Sequence, residues 1–140
     1  MGMTQEEKQL LIKDLCARLP YKVKVEAFPY VDPQILCSID PIRKEFRLDF
    51  GEYRNIFATN WAGEEYSIVK PYLRSRDNMT EEEYLKYSET RDWRYVDDDH
   101  YEYFDTLETF DWLNEHHFDY RGLIPMGLAL EAPKDMYKIE

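Results

Sequence analysis

The residues with the greatest chemical reach in this 140-residue chain lie in its last third. Two adjacent histidines, His116 and His117, sit in DWLNEHHFDYRG (111–122), and the third histidine ends Asp97-Asp98-Asp99-His100. Imidazole nitrogens and carboxylate oxygens together suit a divalent metal. One reading therefore joins Asp99, His100 and His116, with Asp111 or Glu115 as further oxygen donors, into the metal site of a small hydrolase. The spacing argues against it. Neighbouring helical side chains point about 100° apart, because a turn takes 3.6 residues. His116 and His117 therefore cannot share an ion as a His-x-x-x-His pair does. His117 falls in line with Phe110 and Leu113, which favours a hydrogen-bonded, partly buried histidine closing a helix. His116, at the same end, complements the negative pole of the helix dipole.

Other familiar chemistries have no basis in the residues present. There is no glycine-rich phosphate loop and no Gly-x-Ser-x-Gly elbow. Cys16 falls in a predicted helix and Cys37 in a predicted strand, so both are expected as reduced core thiols rather than nucleophiles. Carboxylate pairs say little in a chain with 29 acids.

A combination of aromatics and acids says more. Trp93, Tyr95, Tyr101 and Tyr103 alternate with charge on either side of Asp97, Asp98 and Asp99. Tyrosine and tryptophan anchors ringed by charge are characteristic of a protein-binding face. Phe104, Phe110 and Phe118 are expected in the core instead.

Net charge is −11, and it is polarised. Residues 1–76 hold 12 Lys/Arg against 11 Asp/Glu, whereas residues 77–119 hold 3 against 15. Such a surface repels phosphate, which argues against direct binding of nucleic acid or anionic membrane. It attracts a basic protein surface. No apolar run approaches the ~18 residues of a spanning helix, and the acidic start MGMTQEEKQLL lacks the basic region of a secretion signal. Two cysteines make no disulfide framework. The expected location is the cytoplasm, with no cofactor.

The elements that would position these residues can be read from capping and periodicity. Thr4-x-x-Glu7 opens a helix whose stripe runs through Leu11, Leu15 and Arg18 to the stop at Pro20. YKVKVEAF (21–28), QILCSI (34–39), KEFRLDF (44–50), RNIFATNW (54–61) and EYSIVKPYL (65–73) read as strands, with Gly51 ending the third. Pro71 places the end of the last one at an edge or outside the ladder. Thr80-x-x-Glu83 opens a short second helix, residues 92–104 read as an aromatic hairpin or arm, and Asp105-x-x-Glu108 caps a third helix. That helix would face inward through Leu107, Phe110, Leu113, Asn114 and His117 and stop at Gly122. GLIPMGLALEAP (122–133) would pack back onto the body. The expected fold is α+β: an N-terminal helix, a small, mostly antiparallel sheet with barrel-like closure as an option, then two C-terminal helices around an acidic-aromatic arm. Residues 3–140 form one expected domain, near-neutral over 3–76 and acidic and helical over 77–140, with residues 1–2 set apart as an expression remnant.

Three stretches carry a resemblance. KDLCARLPY (13–21), VKPYLRSRDNMTEEE (69–83) and WLNEHHFDYRGLIPMGLALEAPKDMY (112–137) are similar to the opening, middle and C-terminal signature of a family of small uncharacterised proteins. These are encoded by gut anaerobic bacteria, their phages and mobile elements. Where that family has Arg-Pro-x-Ser-Ser, this chain has Arg74-Ser75-Arg76-Asp77-Asn78. The resemblance implies a cytoplasmic, phage- or mobile-element-associated origin and supplies no established activity. Its signature residues, including His116, His117, Asp119, Tyr120, Arg121 and Gly122, would serve the fold or a shared partner.

Taken together, the sequence favours a non-enzymatic acidic interaction module that occupies a basic, nucleic-acid-binding type of surface on a partner protein. Its interaction residues would be Trp93, Tyr95, Asp97, Asp98, Asp99, Tyr101 and Tyr103. The alternatives are the metal-dependent hydrolase and a structural component of a phage particle.

Overall fold

The first helix begins where its own side chains can cap it. In the computed structural model, which describes residues 2–137, α1 spans Gln5–Arg18. The Thr4 hydroxyl accepts from the Glu7 N–H while the Glu7 carboxylate accepts from the Thr4 N–H, so two orphan donors of the first turn are satisfied reciprocally. Leu11, Ile12 and Leu15 bury one face. Pro20 then turns the chain into a 3-10 turn at Leu19–Tyr21.

Beyond it lie β1 (Lys24–Ala27), β2 (Gln34–Asp40), β3 (Glu45–Leu48), β4 (Arg54–Asn55), β5 (Phe57–Thr59), β6 (Glu65–Ser67) and β7 (Val69–Leu73). The acidic half follows with α2 (Glu81–Thr90), β8 (Asp92–Asp97), β9 (His100–Phe104), α3 (Leu107–Glu115) and β10 (Leu130–Glu131). The main sheet has the order β10-β7-β1-β2-β3-β4, and β5–β6 and β8–β9 form separate two-stranded ribbons. Every pairing of the main sheet is antiparallel except β10 on β7. The sheet is open at β4 and β10, so the optional barrel closure does not occur.

Strict alternation explains which side is inside. Val23, Val25 and Ala27 are fully buried, as are Phe46 and Val69, and they meet Leu11 and Leu15 of α1. The tail packs back as expected: Leu123, Leu128 and Ala129 join the same cluster. Each fully buried large aliphatic or aromatic side chain contributes roughly 1.5–3 kcal/mol. A second, smaller cluster of Tyr87, Leu113 and Phe118, flanked by Trp112 and Tyr120, joins α2 to α3.

Several expectations need correction. The end of VKPYL is not at an edge, since Tyr72 and Leu73 pair with β10 on one side of a strand that pairs with β1 on the other. Pro71 itself is tolerated because β10 begins only at the level of Tyr72. Its place opposite Val25 alternates with the bonded rungs that follow from the Phe28 N–H donating to Ile68 O, so no ladder bond is lost there. The cap of α3 is Thr106 with Thr109, one residue later than the acidic box; Asp105 is held instead by Arg91 at 3.0 Å. The helix also stops early. His117 takes the left-handed φ of +64° that Gly122 was expected to supply. Of the predicted inward face, Leu113, Asn114 and His117 are buried, but Leu107 is 85% exposed and Phe110 lies at the surface. Phe104 is exposed too, leaving Phe118 as the core phenylalanine of the three. Cys37 is exposed and Cys16 half-buried, so neither is a fully buried core thiol.

The two ends of the chain are tied by a buried polar knot. Asp14 and Arg18, one helical turn apart on α1, are both fully buried and 2.9 Å apart. Arg18 donates to the Phe118 carbonyl at 2.6 Å, and Arg121 donates to the other Asp14 oxygen at 2.7 Å. Tyr120 presents its ring to both guanidinium groups, at 5.4 and 4.5 Å. Removing one member of such a buried pair leaves an uncompensated charge. Urea unfolding of Asp14→Asn should accordingly show a loss of about 3–5 kcal/mol. The exposed i,i+4 pair Glu82–Lys86, at 3.8 Å, should change stability by less than about 0.5 kcal/mol in Glu82→Gln.

Candidate functional site

Residues 92–104 form a ribbon whose every residue is exposed. Asp99 makes its turn possible with a left-handed φ of +62°, which a short polar side chain tolerates. Trp93 stands opposite Tyr103, and Tyr95 opposite Tyr101. Directly opposed residues and their i+2 neighbours share a face, so these four aromatics form one row. They are about half exposed or more: 58, 57, 49 and 61% for Trp93, Tyr95, Tyr101 and Tyr103. Tyr101 meets Trp93 and Tyr95 edge to face, with centroids 5.2 and 5.6 Å apart. The reverse face carries Arg94, paired with Glu102 at 3.2 Å, beside Asp92 and Phe104.

The tip holds the acids. Tyr95 donates its hydroxyl to Asp98 at 2.9 Å, and that bond to a carboxylate raises the tyrosine pKa. Asp97, Asp98 and Asp99 have no ion-pair partner among the described residues. The same holds for Glu108, Asp111 and Glu115 on α3. Within the described residues one ion pair carries a base of the first half to an acid of the second, Arg74 to Glu83. The surplus charge therefore stays on the unit built from α2, the ribbon and α3.

Rigid contacts root the ribbon. Thr106 and Thr109 both donate side-chain hydroxyls to the Thr90 carbonyl at 2.9 Å, which closes its base. Arg91 pairs with Asp105, donates to the Tyr103 carbonyl at 3.3 Å and lies over the rings of Tyr87 and Tyr103. Sequence reasoning missed Arg91 and the threonines; the one signal was a lone base immediately before the aromatic stretch.

The histidines do not converge. Among the described residues no group of three or more His, Cys, Asp or Glu is placed to hold a metal, so Asp99, His100 and His116 do not assemble into the alternative site. His100 lies on the exposed ribbon. His116 packs tilted against Trp112, with ring centroids 4.3 Å apart, and burial lowers its pKa against the opposing pull of Glu115. His117 is buried and stacks on Tyr137 at 3.7 Å. Burial, reinforced by the positive charge of Arg18, pushes its pKa down to about 3. Tyr137 in turn donates to the Tyr72 carbonyl at 2.8 Å and accepts from the Lys24 N–H at 2.8 Å, pinning the tail to the sheet. The other signature residues also have partners inside the chain. Asp119 accepts from the Leu123 and Ile124 N–H groups, Tyr120 donates to Asn114, Arg121 binds Asp14, and Gly122 turns at φ +77°.

The surface also carries open depressions. One of about 400 Å³ lies on the ribbon beside Arg94, Glu102, Tyr103 and Phe104. Another, of about 330 Å³, runs between α1 and the turn after β2, past Lys8, Ile12, Lys13, Cys16 and Lys44. Burial raises the Cys16 pKa, which disfavours the thiolate a nucleophile needs.

No family model, no curated protein and no solved structure matches this chain. Among the described residues no helix is long and apolar enough to cross a membrane.

Two measurements check this geometry. The folded state refuses a proton at His117 that the unfolded chain accepts near pH 6.5, so acidification favours unfolding. Stability should fall by about 2–3 kcal/mol between pH 7 and 4.5 from this residue, and urea midpoints of His117→Asn should flatten that slope. Glu83 acts in the same sense at lower pH. Burial pushes its pKa up, but bonds from Arg74 and Thr80 outweigh this and leave it below the usual range. Separately, Asp92 and Phe104 stand directly opposite one another. Replacing residues 93–103 by an Asn-Gly turn should leave unfolding cooperative, with stability changed by no more than about 1 kcal/mol.

Proposed function

We propose that this protein is a non-enzymatic interaction module that uses the acidic, aromatic ribbon and the flanking faces of α2 and α3 to dock on a basic surface of a partner protein. The observation that carries this reading is the row Trp93, Tyr95, Tyr101 and Tyr103, held out in solvent on a ribbon rooted at Arg91 and surrounded by unpaired carboxylates. Rings of this kind supply binding energy when buried at an interface, and the carboxylates steer a cationic partner and repel nucleic acid. The partner surface would be of the type that otherwise holds phosphates. The resemblance of residues 13–21, 69–83 and 112–137 to small proteins of gut bacteria, their phages and mobile elements supports a cytoplasmic, mobile-element setting as part of the same proposal.

The test is affinity capture from a gut-anaerobe lysate, run in parallel with the wild-type chain, Trp93→Ala and Tyr101→Ala. Specific partners should be basic. Their capture should fall roughly tenfold between about 0.1 M salt, where the screening length is about 10 Å, and about 1 M, where it is about 3 Å. Each alanine variant should lose about 2 kcal/mol of affinity, or roughly 30-fold. Partners that are acidic, or that both variants retain at full strength, would sink the docking reading.

A further inference from the structure

Resting on that docking reading, we infer that the outer part of the aromatic row recognises guanidinium groups, so that the partner presents arginine rather than lysine. The chain holds a worked example at the root of the same row. There the Arg91 guanidinium lies 6.0 Å from the centre of the Tyr103 ring and 3.0 Å from the Asp105 carboxylate, with a further bond to the Tyr103 carbonyl. A planar cation is thus held between a ring face and a carboxylate. Farther out, the ribbon repeats two of these three parts. Tyr95 binds Asp98 at 2.9 Å and meets the Tyr101 ring, and Asp97 and Asp99 flank Asp98 in sequence. Among the described residues no cation of the chain lies over Trp93, Tyr95 or Tyr101.

Elsewhere among the described residues arginine is the commoner cation over a ring, although Lys8 and Lys24 also lie over Phe57 and Tyr137. Arg18 and Arg121 share Tyr120, Arg74 lies 4.2 Å over Phe118, and Arg76 joins Arg91 on Tyr87. Guanidinium suits this setting because it is flat, weakly hydrated and able to stack on a ring while its edge donates to a carboxylate. An ammonium is a compact, strongly hydrated charge that would satisfy the carboxylates but gain less from the rings. Charge complementarity alone would treat the two alike, so discrimination between them isolates the contribution of the aromatics.

The experiment uses the full chain and two fluorescein-labelled probes, a nine-residue arginine peptide and a nine-residue lysine peptide, titrated by fluorescence anisotropy. The arginine peptide should bind about tenfold more tightly, from two or three ring contacts. Tyr101→Leu should abolish that preference, weakening the arginine peptide about tenfold and the lysine peptide by a smaller factor, and Tyr101→Phe should retain it. Asp98→Asn should weaken both peptides. Circular dichroism of each variant guards against a collapsed ribbon. Equal affinities for the two peptides, or a preference that survives Tyr101→Leu, would overturn the inference while leaving the docking reading intact. Binding of neither peptide would overturn both. Concentration-dependent self-association that displaces the arginine peptide would assign the row to a second copy of the chain and likewise overturn it.

Discussion

A carboxylate and a guanidinium taken wholly out of water hold this molecule together. Asp14 and Arg18 are spaced by one helical turn, so α1 presents them as a pair. The remaining capacity of Asp14 is met by Arg121, and that of Arg18 in part by the Phe118 carbonyl. Desolvating two ions is unfavourable unless their geometry is good and their other bonds are made. That requirement fixes where the strand-like segment at Phe118 and the turn at Arg121 must lie relative to the first helix. The three stretches 13–21, 69–83 and 112–137 meet here: Arg74 exchanges backbone bonds with His117 and Asp119 and stacks on Phe118, while Tyr137 lies on His117.

The acidic half depends on that anchor. α3 ends at the residues that enter the knot, and α2 is held to β7's continuation by the Arg74–Glu83 pair. Between the two helices the ribbon stands as a two-stranded element, a form that is only marginally stable alone. Arg91, Thr106 and Thr109 supply its fixed base, which allows the aromatics to remain in solvent instead of folding into the second cluster. The interplay is thus mechanical: a buried pair positions two helices, and the helices hold out a face on which, among the described residues, Asp97, Asp98 and Asp99 have no ion-pair partner and Trp93, Tyr95 and Tyr101 carry no cation.

Much of the fold was legible in the sequence because its signals are local. Thr4-x-x-Glu7 and Thr80-x-x-Glu83 cap the helices they announce, and the alternation of Val23, Val25 and Ala27 buries the side it should. The hairpin over 92–104 followed from alternation as well. Other features were not legible because competition decided them. Asp105 could cap α3 or pair with Arg91, and the structure uses it for the pair and gives the cap to Thr106. Leu107 and Phe110 fit an inward stripe, yet Leu107 stays exposed and Phe110 lies at the surface against the Tyr120 ring. Asp14 was indistinguishable among 29 acids, although Arg18 already stood on the apolar stripe.

By itself the sequence determined most of the elements, the caps of the first two helices, the α+β class and the placement of negative charge in one half, because periodicity, capping and composition act over a few residues. Tertiary structure alone decided that His100 and His116 lie in separate settings, that His117 closes a helix in a left-handed conformation against Tyr137, and that Arg18 is buried against Asp14 and Phe118. Those outcomes join residues up to 100 positions apart. They follow from which groups must find a partner once water is excluded, a condition that no local pattern records.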